Sequence, residues 1–267
     1  MRIAITRALS PRIGDCELSY IEREPIDFAR AAEQHDVYEQ RLVAHGCTIV
    51  RAADAPEMPD GVFVEDAAIV LDDIAVIARP GAESRRGETE SIARVLGQSR
   101  TLKWIEAPGT LDGGDVLATD GALFVGLSAR TNEAAIAQIG SREWELGSRA
   151  SNPAGTTPDR RLPIPVRFRG CLHLKSAVTQ IAGQTLLVNP DWVDARQFRG
   201  FETIDVDPSE PFAANALNIG DVLIYSASYP RTRRRLEARG FAVDAIDVSE
   251  LEKAEAGVTC CSIIFES

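Results

Sequence analysis

The sequence predicts an α/β protein whose repeated units close into a ring. Three observations carry this. Pairs of short apolar or alternating runs, joined at turn residues, recur along the chain. Each pair is followed by a helical stretch and one more strand, at the spacing of roughly 40 to 60 residues that belongs to propellers and arrays. The two chain ends supply the pieces of one further unit. An open α/β sheet is the alternative that the same alternation allows.

The elements follow in order. "RIAITRA" (2–8) is a strand, "IDFARAAEQHDVYEQRLVAHG" (26–46) an amphipathic helix and "CTIVRA" (47–52) a strand. "VFVEDAAIVLDDIAVIARPG" (62–81) reads as two strands joined at Asp72-Asp73, with a helix over 86–98 and a strand over 100–107. "DVLATDGALFVGLS" (115–128) is a hairpin turning at Asp120-Gly121, with a helix over 131–139. "LHLKSAVTQIAGQTLLVNP" (172–190) turns around Ala182-Gly183 and leads to a helix over 191–198. "LNIGDVLIYSASYP" (217–230) precedes a helix over 230–239, with Pro230 where a first turn tolerates it, and a strand over 240–247. "CCSIIFE" is the closing strand, paired with 2–8, so that residues 1–267 form a single domain. The stretch 141–170 is rich in Ser, Gly, Pro, Asp and Arg and reads as an extended surface loop. Such a loop is inert, or serves an oligomer contact or a cover over the site.

The totals exclude several functions. A formal net charge of -11 argues against nucleic acid and against an anionic membrane surface. The N-terminus turns polar too quickly for a signal peptide, and no apolar run reaches the length of a membrane span. Five scattered cysteines do not suggest a disulfide framework, and three histidines without a C-x-x-C pair do not suggest structural zinc. The expectation is a reduced, cytoplasmic protein with a small-molecule partner and no metal or cofactor; a homodimer stays open.

At or just before the first strand of each unit stand Glu65 and Asp66, Asp112, His173, Asn218 and Cys260. Equivalent positions of a ring meet around its axis. A cysteine with a histidine in reach is a thiol nucleophile with its acid/base partner, and a carboxylate on the second ring nitrogen orients the imidazole. Asp112, at the Gly-Gly bend of "TLDGGD", suits that role. Cys260 and Cys261 would face opposite sides of a strand. Taken singly, His173 and Cys260 read as core residues, and it is the repeat register that points them to chemistry. Asp60, Glu65 and Asp66 crowd an otherwise apolar stretch, where acids are costly without a cation. A guanidinium is such a cation. Arg85 and Arg130 stand where hairpins give way to helices. They are solvated surface arginines, or they hold the carboxylate of an amino acid. Assembled, these groups describe hydrolysis at the guanidino carbon of an arginine-like molecule.

At these residues the chain resembles the dimethylarginine dimethylaminohydrolases, within the guanidino-group-modifying superfamily that includes arginine deiminases and amidinotransferases. "FVED", "RPGAESRR", "TLDGGDVL", "FVGLSARTN", "LHLKS", "SELEK" and "TCCS" carry the resemblance, in the family's order and across nearly the whole chain. The resemblance implies a closed five-bladed α/β propeller. It implies Cys260 as nucleophile, directly after Thr259, His173 as general acid/base and Asp112 as its carboxylate partner. It further implies Asp60, Glu65 and Asp66 around the guanidinium, and Arg85 and Arg130 near the amino-acid end. Leu18 matches a lid-loop leucine. Ala254 occupies a lining position that is often a larger aliphatic. The implied activity converts N-ω-methylated arginine to citrulline and a methylamine through a covalent thiouronium. An arginine deiminase is the alternative within the enzymes, and a silent binder of arginine analogues the alternative outside them.

Overall fold

The computed structural model describes residues 1–71, 73–119, 121–141 and 162–267. Its described strands form five sheets of three, all built alike. An inner strand pairs antiparallel with a middle strand, which pairs parallel with an outer one. Sheet one is β1 (Arg2–Thr6) between β2 (Cys47–Arg51) and the closing strand β15 (Ile263–Glu266), with Ala4 opposite both Ile49 and Ile264. Sheet two is β3 (Ala68–Leu71), β4 (Ile74–Ile77) and β5 (Thr101–Trp104). Sheet three is β6 (Val116–Ala118), β7 (Leu123–Leu127) and β8 (Pro163–Arg167). Sheet four is β9 (Val178–Ala182), β10 (Thr185–Val188) and β11 (Glu202–Asp205). Sheet five is β12 (Ala216–Ile219), β13 (Val222–Ser226) and β14 (Ala242–Ile246).

Middle and outer strands run parallel, so a crossover must join them. It is α1 (Phe28–Ala44) in the first unit, α2 (Thr89–Leu96) in the second, α3 (Glu133–Ile139) in the third and α5 (Pro230–Ala238) in the fifth. Asp27 caps α1 by accepting the Arg30 N–H, and Ala31, Gln34, His35, Tyr38 and Leu42 form its buried face at helical spacing. The fourth crossover differs from the expected helix: only Ala195–Gln197 is helical, as a 3-10 turn capped by Asp194. The "DWVDARQF" stretch is too short for a stable α-helix once Asp194 has capped it.

Five apolar cores join the sheets pairwise. One sets Ala4 and α1 against Ile219, Ile224 and Ile246. The others link sheets one and two around Ile5 and Ala75, two and three around Val76 and Val125, three and four around Phe124 and Leu186, and four and five around Leu187 and Leu223. Each sheet shares a core with two neighbours, and the fifth packs back on the first. That is a closed ring, as the repeat predicts. An axial cavity of about 330 Å³ is lined by all five inner strands, through Ala68, Val116, Thr179, Ala216 and Ile263.

Most of the 141–170 stretch lies outside the described residues, as do Asp72 and Asp120. Its end corrects the expectation of a loop, because Pro163–Arg167 is the third strand of sheet three. Two prolines disguise it, and they are tolerated because β8 is an edge strand.

Candidate active site

The ring brings its functional residues together at the turns preceding the inner strands. The sequence reading put them at or just before those strands, and the structure resolves this to the turns ahead of them. Glu65 and Asp66 lie in the 3-10 turn Val64–Ala67, Asp112 directly before the 3-10 turn Gly113–Asp115, and His173 directly before α4 (Leu174–Ala177). Cys260 and Cys261 lie in a turn ahead of β15, so strand alternation does not separate them. Their environments still differ: Cys261 is buried in the core, whereas Cys260 is half-buried at its edge. Asn218, inside β12, is displaced from the site register by three residues. Asn215 stands before β12 instead, and its side chain accepts the Thr259 N–H at 3.0 Å.

A buried row of charges runs through the site. His173 Nε2 lies 3.1 Å from Asp112 Oδ2, and His173 Nδ1 lies 3.7 Å from Asp66 Oδ1. Burial alone would lower the His173 pKa. The charge of Asp66, the bond from Asp112 and the charge of Asp115 outweigh it and raise the value to about 9. Asp66 accepts Gly114 N–H at 2.9 Å and Arg85 Nη1–H at 2.7 Å. Burial opposes its ionisation, but the charges of His173 and Arg85 and these two bonds hold it at about 2. Asp112 is fully buried and also accepts the Gly81 N–H at 2.9 Å.

The two glycines between the acids are required by close approach. A Cβ on Gly113 would stand 2.0 Å from the Glu65 carbonyl oxygen, and one on Gly114 would stand 2.7 Å from His173 Nδ1. The loop is therefore open to backbone packing only because both side chains are missing.

The Cys260 carbonyl accepts the Glu65 N–H at 3.1 Å, and its Sγ accepts the Gly257 N–H at 3.3 Å. Burial, then Glu65 and Asp66, push the thiol up to about 12, against the Gly257 N–H and Lys175. Glu65 is engaged on both oxygens, by Lys175 Nζ at 2.7 Å and by the Thr259 hydroxyl at 2.8 Å. Lys175, Thr259 and Asn215 were not singled out from the sequence. Their signal was present in "LHLKS" and "TCCS" for the first two; Asn215 had none.

The remaining predicted residues join the same set. Asp60 is buried and accepts the Glu17 N–H at 3.2 and 3.3 Å. Burial raises its pKa against the charge of Arg85. Leu18, beside Glu17, packs on the core that also holds Ala254 and touches Cys260. Arg85 is neither a surface arginine nor an open ligand. It is 4% exposed, bonds Glu88 through Nε and Nη2, and bonds Asp66 through Nη1. Arg130 is different. Its Nη1 is buried without a hydrogen-bond partner among the described residues, 3.8 Å from Asp112 Oδ2. A buried donor of this kind awaits an acceptor.

Asp66, Asp112 and His173 each place one ligand atom within 4.8 Å of the others. One oxygen of Asp66 is already taken by Arg85 Nη1.

Fold and site together define a ring of five α/β units with a cysteine, a histidine and carboxylates at the turns around its axis. No protein-family model matches the chain. It is 38% identical to the N(G),N(G)-dimethylarginine dimethylaminohydrolase of Streptomyces coelicolor, over 97% of this chain and 95% of that one. It is 34% identical to the enzyme of that name from Pseudomonas aeruginosa, over 90% of each. A solved structure of the Pseudomonas aeruginosa protein, a cysteine-to-serine mutant complexed with citrulline, superposes with a TM-score of 0.88 at 31% identity, covering 98% of both chains. The chain belongs to the dimethylarginine dimethylaminohydrolase family.

Proposed function

We propose that this protein hydrolyses N-ω-methylated arginine to citrulline and a methylamine, with Cys260 as nucleophile, His173 as general acid/base and Asp112 as its orienting partner. The observation that carries the reading is Asp66. It lies 3.7 Å from His173 Nδ1, while Asp112 holds the ring's other nitrogen at 3.1 Å.

The charges order the steps. With a pKa of about 12 the thiol is protonated at neutral pH, and with about 9 so is His173. A guanidinium beside Glu65 and Asp66 brings a positive charge to the thiol. At ~4 Å and an effective dielectric of ~20 this is worth about 4 kcal/mol, or about 3 pH units. Substrate thus promotes the thiolate, and the thiol proton goes to solvent. The thiolate attacks the guanidino carbon, forming the S–C bond. His173 gives its proton to the departing amine as the C–N bond breaks. The neutral ring then takes a proton from water, whose oxygen attacks the thiouronium carbon. The C–S bond breaks with its electron pair returning to the Cys260 sulfur, the new hydroxyl loses its proton to solvent, and citrulline leaves. General acid/base help of this kind is typically worth about 100- to 10,000-fold.

Arg130, whose Nη1 has no hydrogen-bond partner among the described residues, is the better-placed arginine for the substrate carboxylate; Arg85 instead charges and positions Asp66. Leu18, Asp60 and Ala254 line the approach. The ring of shared cores supports reading residues 1–267 as one domain. Among the described residues no helix is long and apolar enough to cross a membrane. All five cysteines are unpaired, which goes with a reducing, cytoplasmic setting. Comparing kcat/KM for asymmetric dimethylarginine, monomethylarginine and arginine tests the substrate. A higher value for arginine would replace this reading with a deiminase, and binding without citrulline would replace it with a silent binder.

A further inference from the structure

Residues 17–20 have no regular secondary structure, yet the backbone N–H groups of Glu17, Ser19 and Tyr20 all donate to carboxylates from distant parts of the chain. Glu17 donates to Asp60. Ser19 donates to Glu255 Oε2 and Tyr20 to Glu255 Oε1, both at 2.6 Å. Leu18 lies between these anchors and packs with Cys260 and Ala254 on one core. We infer that Glu255 is the positioning residue that holds this segment over the Cys260 site. The inference rests on Cys260 being the reacting centre.

The backbone of Glu255 points the same way. It follows α6 (Ser249–Glu252) and has a φ of +56°, the only left-handed non-glycine residue among those described. A helix end of this kind favours glycine. Glycine would adopt the conformation without strain, but it has no carboxylate. The glutamate sacrifices local backbone preference and presents two oxygens to two successive N–H groups. Ser19 and Tyr20 are themselves exposed, so without Glu255 their N–H groups turn to water. Asp60 and the Ser84 hydroxyl, which bonds Glu17 Oε1 at 2.6 Å, hold only the other side of Leu18.

The segment's position should then set substrate retention rather than chemistry. The test is Glu255→Gly, which removes the carboxylate and relieves the backbone together, with Glu255→Gln as a second variant that keeps one acceptor. Amide exchange at Ser19 and Tyr20 is measured without substrate, alongside thermal unfolding and kinetics on asymmetric dimethylarginine. In Glu255→Gly exchange should rise about tenfold, the scale of one partly exposed charge-assisted bond, with no fall in Tm. KM should rise by about tenfold while kcat stays within about threefold. Glu255→Gln should fall between. Unchanged exchange in Glu255→Gly, or a fall in kcat with KM unmoved, overturns the assignment. Wild-type protein that does not turn over dimethylarginine would remove the function reading and leave the exchange result standing.

Discussion

Asp66→Asn isolates the electrostatics of the site. His173 is raised from the ordinary 6.5 to about 9, a preference for the charged ring of about 3 kcal/mol. The Asp66 charge is the largest of the raising influences. At the observed 3.7 Å and an effective dielectric of ~20, the pair is worth about 4 kcal/mol, enough to account for the whole rise. Without that charge, burial reasserts itself, and His173 should titrate ~2 to 3 pH units lower, near or below its ordinary value. The sign for stability follows. A raised histidine pKa stabilises the fold fully below about pH 6.5 and loses that contribution as pH rises towards about 9. In wild type the urea midpoint should therefore fall between pH 6.5 and 9; in Asp66→Asn that fall should be largely gone. The direct assay is a histidine NMR titration, simple in a chain with three histidines. The basic limb of kcat/KM should move down with the titration. Its position is diagnostic, because the variant also weakens guanidinium binding. A His173 that still titrates near 9 in Asp66→Asn would refute the reasoning.

Three further outcomes are expected. Gly114→Ala puts a Cβ 2.7 Å from His173 Nδ1 and 2.8 Å from Asp66 Oδ1, so the ring must move; kcat should fall by about 100-fold, the effect of ~1 Å of misplacement. Arg130→Ala should raise KM by about 10- to 100-fold through loss of a charged hydrogen bond to the substrate carboxylate, and kcat should change far less. Cys261→Ala should lower unfolding free energy by about 1 kcal/mol in urea and leave kcat within about twofold, because its buried sulfur packs in the core.

Much of the ring was legible because its repeat is written in alternating apolar runs and turn residues. The closing strand, the hairpins and three of the four internal crossover helices fall where periodicity puts them. What it hid has physical causes. The single helical turns at Val64–Ala67 and Leu174–Ala177 are four residues each, too short for a helical period to show in the sequence. Strand Pro163–Arg167 carries two prolines that only an edge position tolerates. Cys260, His173 and Asp112 were singled out as candidates from residue type and register, since such groups are few. Arg85 was read as a surface arginine or a carboxylate ligand, because sequence does not reveal that Glu88, three residues on, bonds its guanidinium. Asn215 and Glu255 act through backbone groups far away in the chain, and no local pattern encodes such a bond.

The central claim is a covalent bond from Cys260 to the guanidino carbon. Acid-quenched protein, mixed with asymmetric dimethylarginine and digested, tests it by mass spectrometry of the peptide that holds Cys260 and Cys261. The account predicts a substrate adduct lacking dimethylamine on Cys260, absent in Cys260→Ser, which should also release no citrulline. Citrulline formed by Cys260→Ser, or an adduct carried by Cys261 instead, would contradict it.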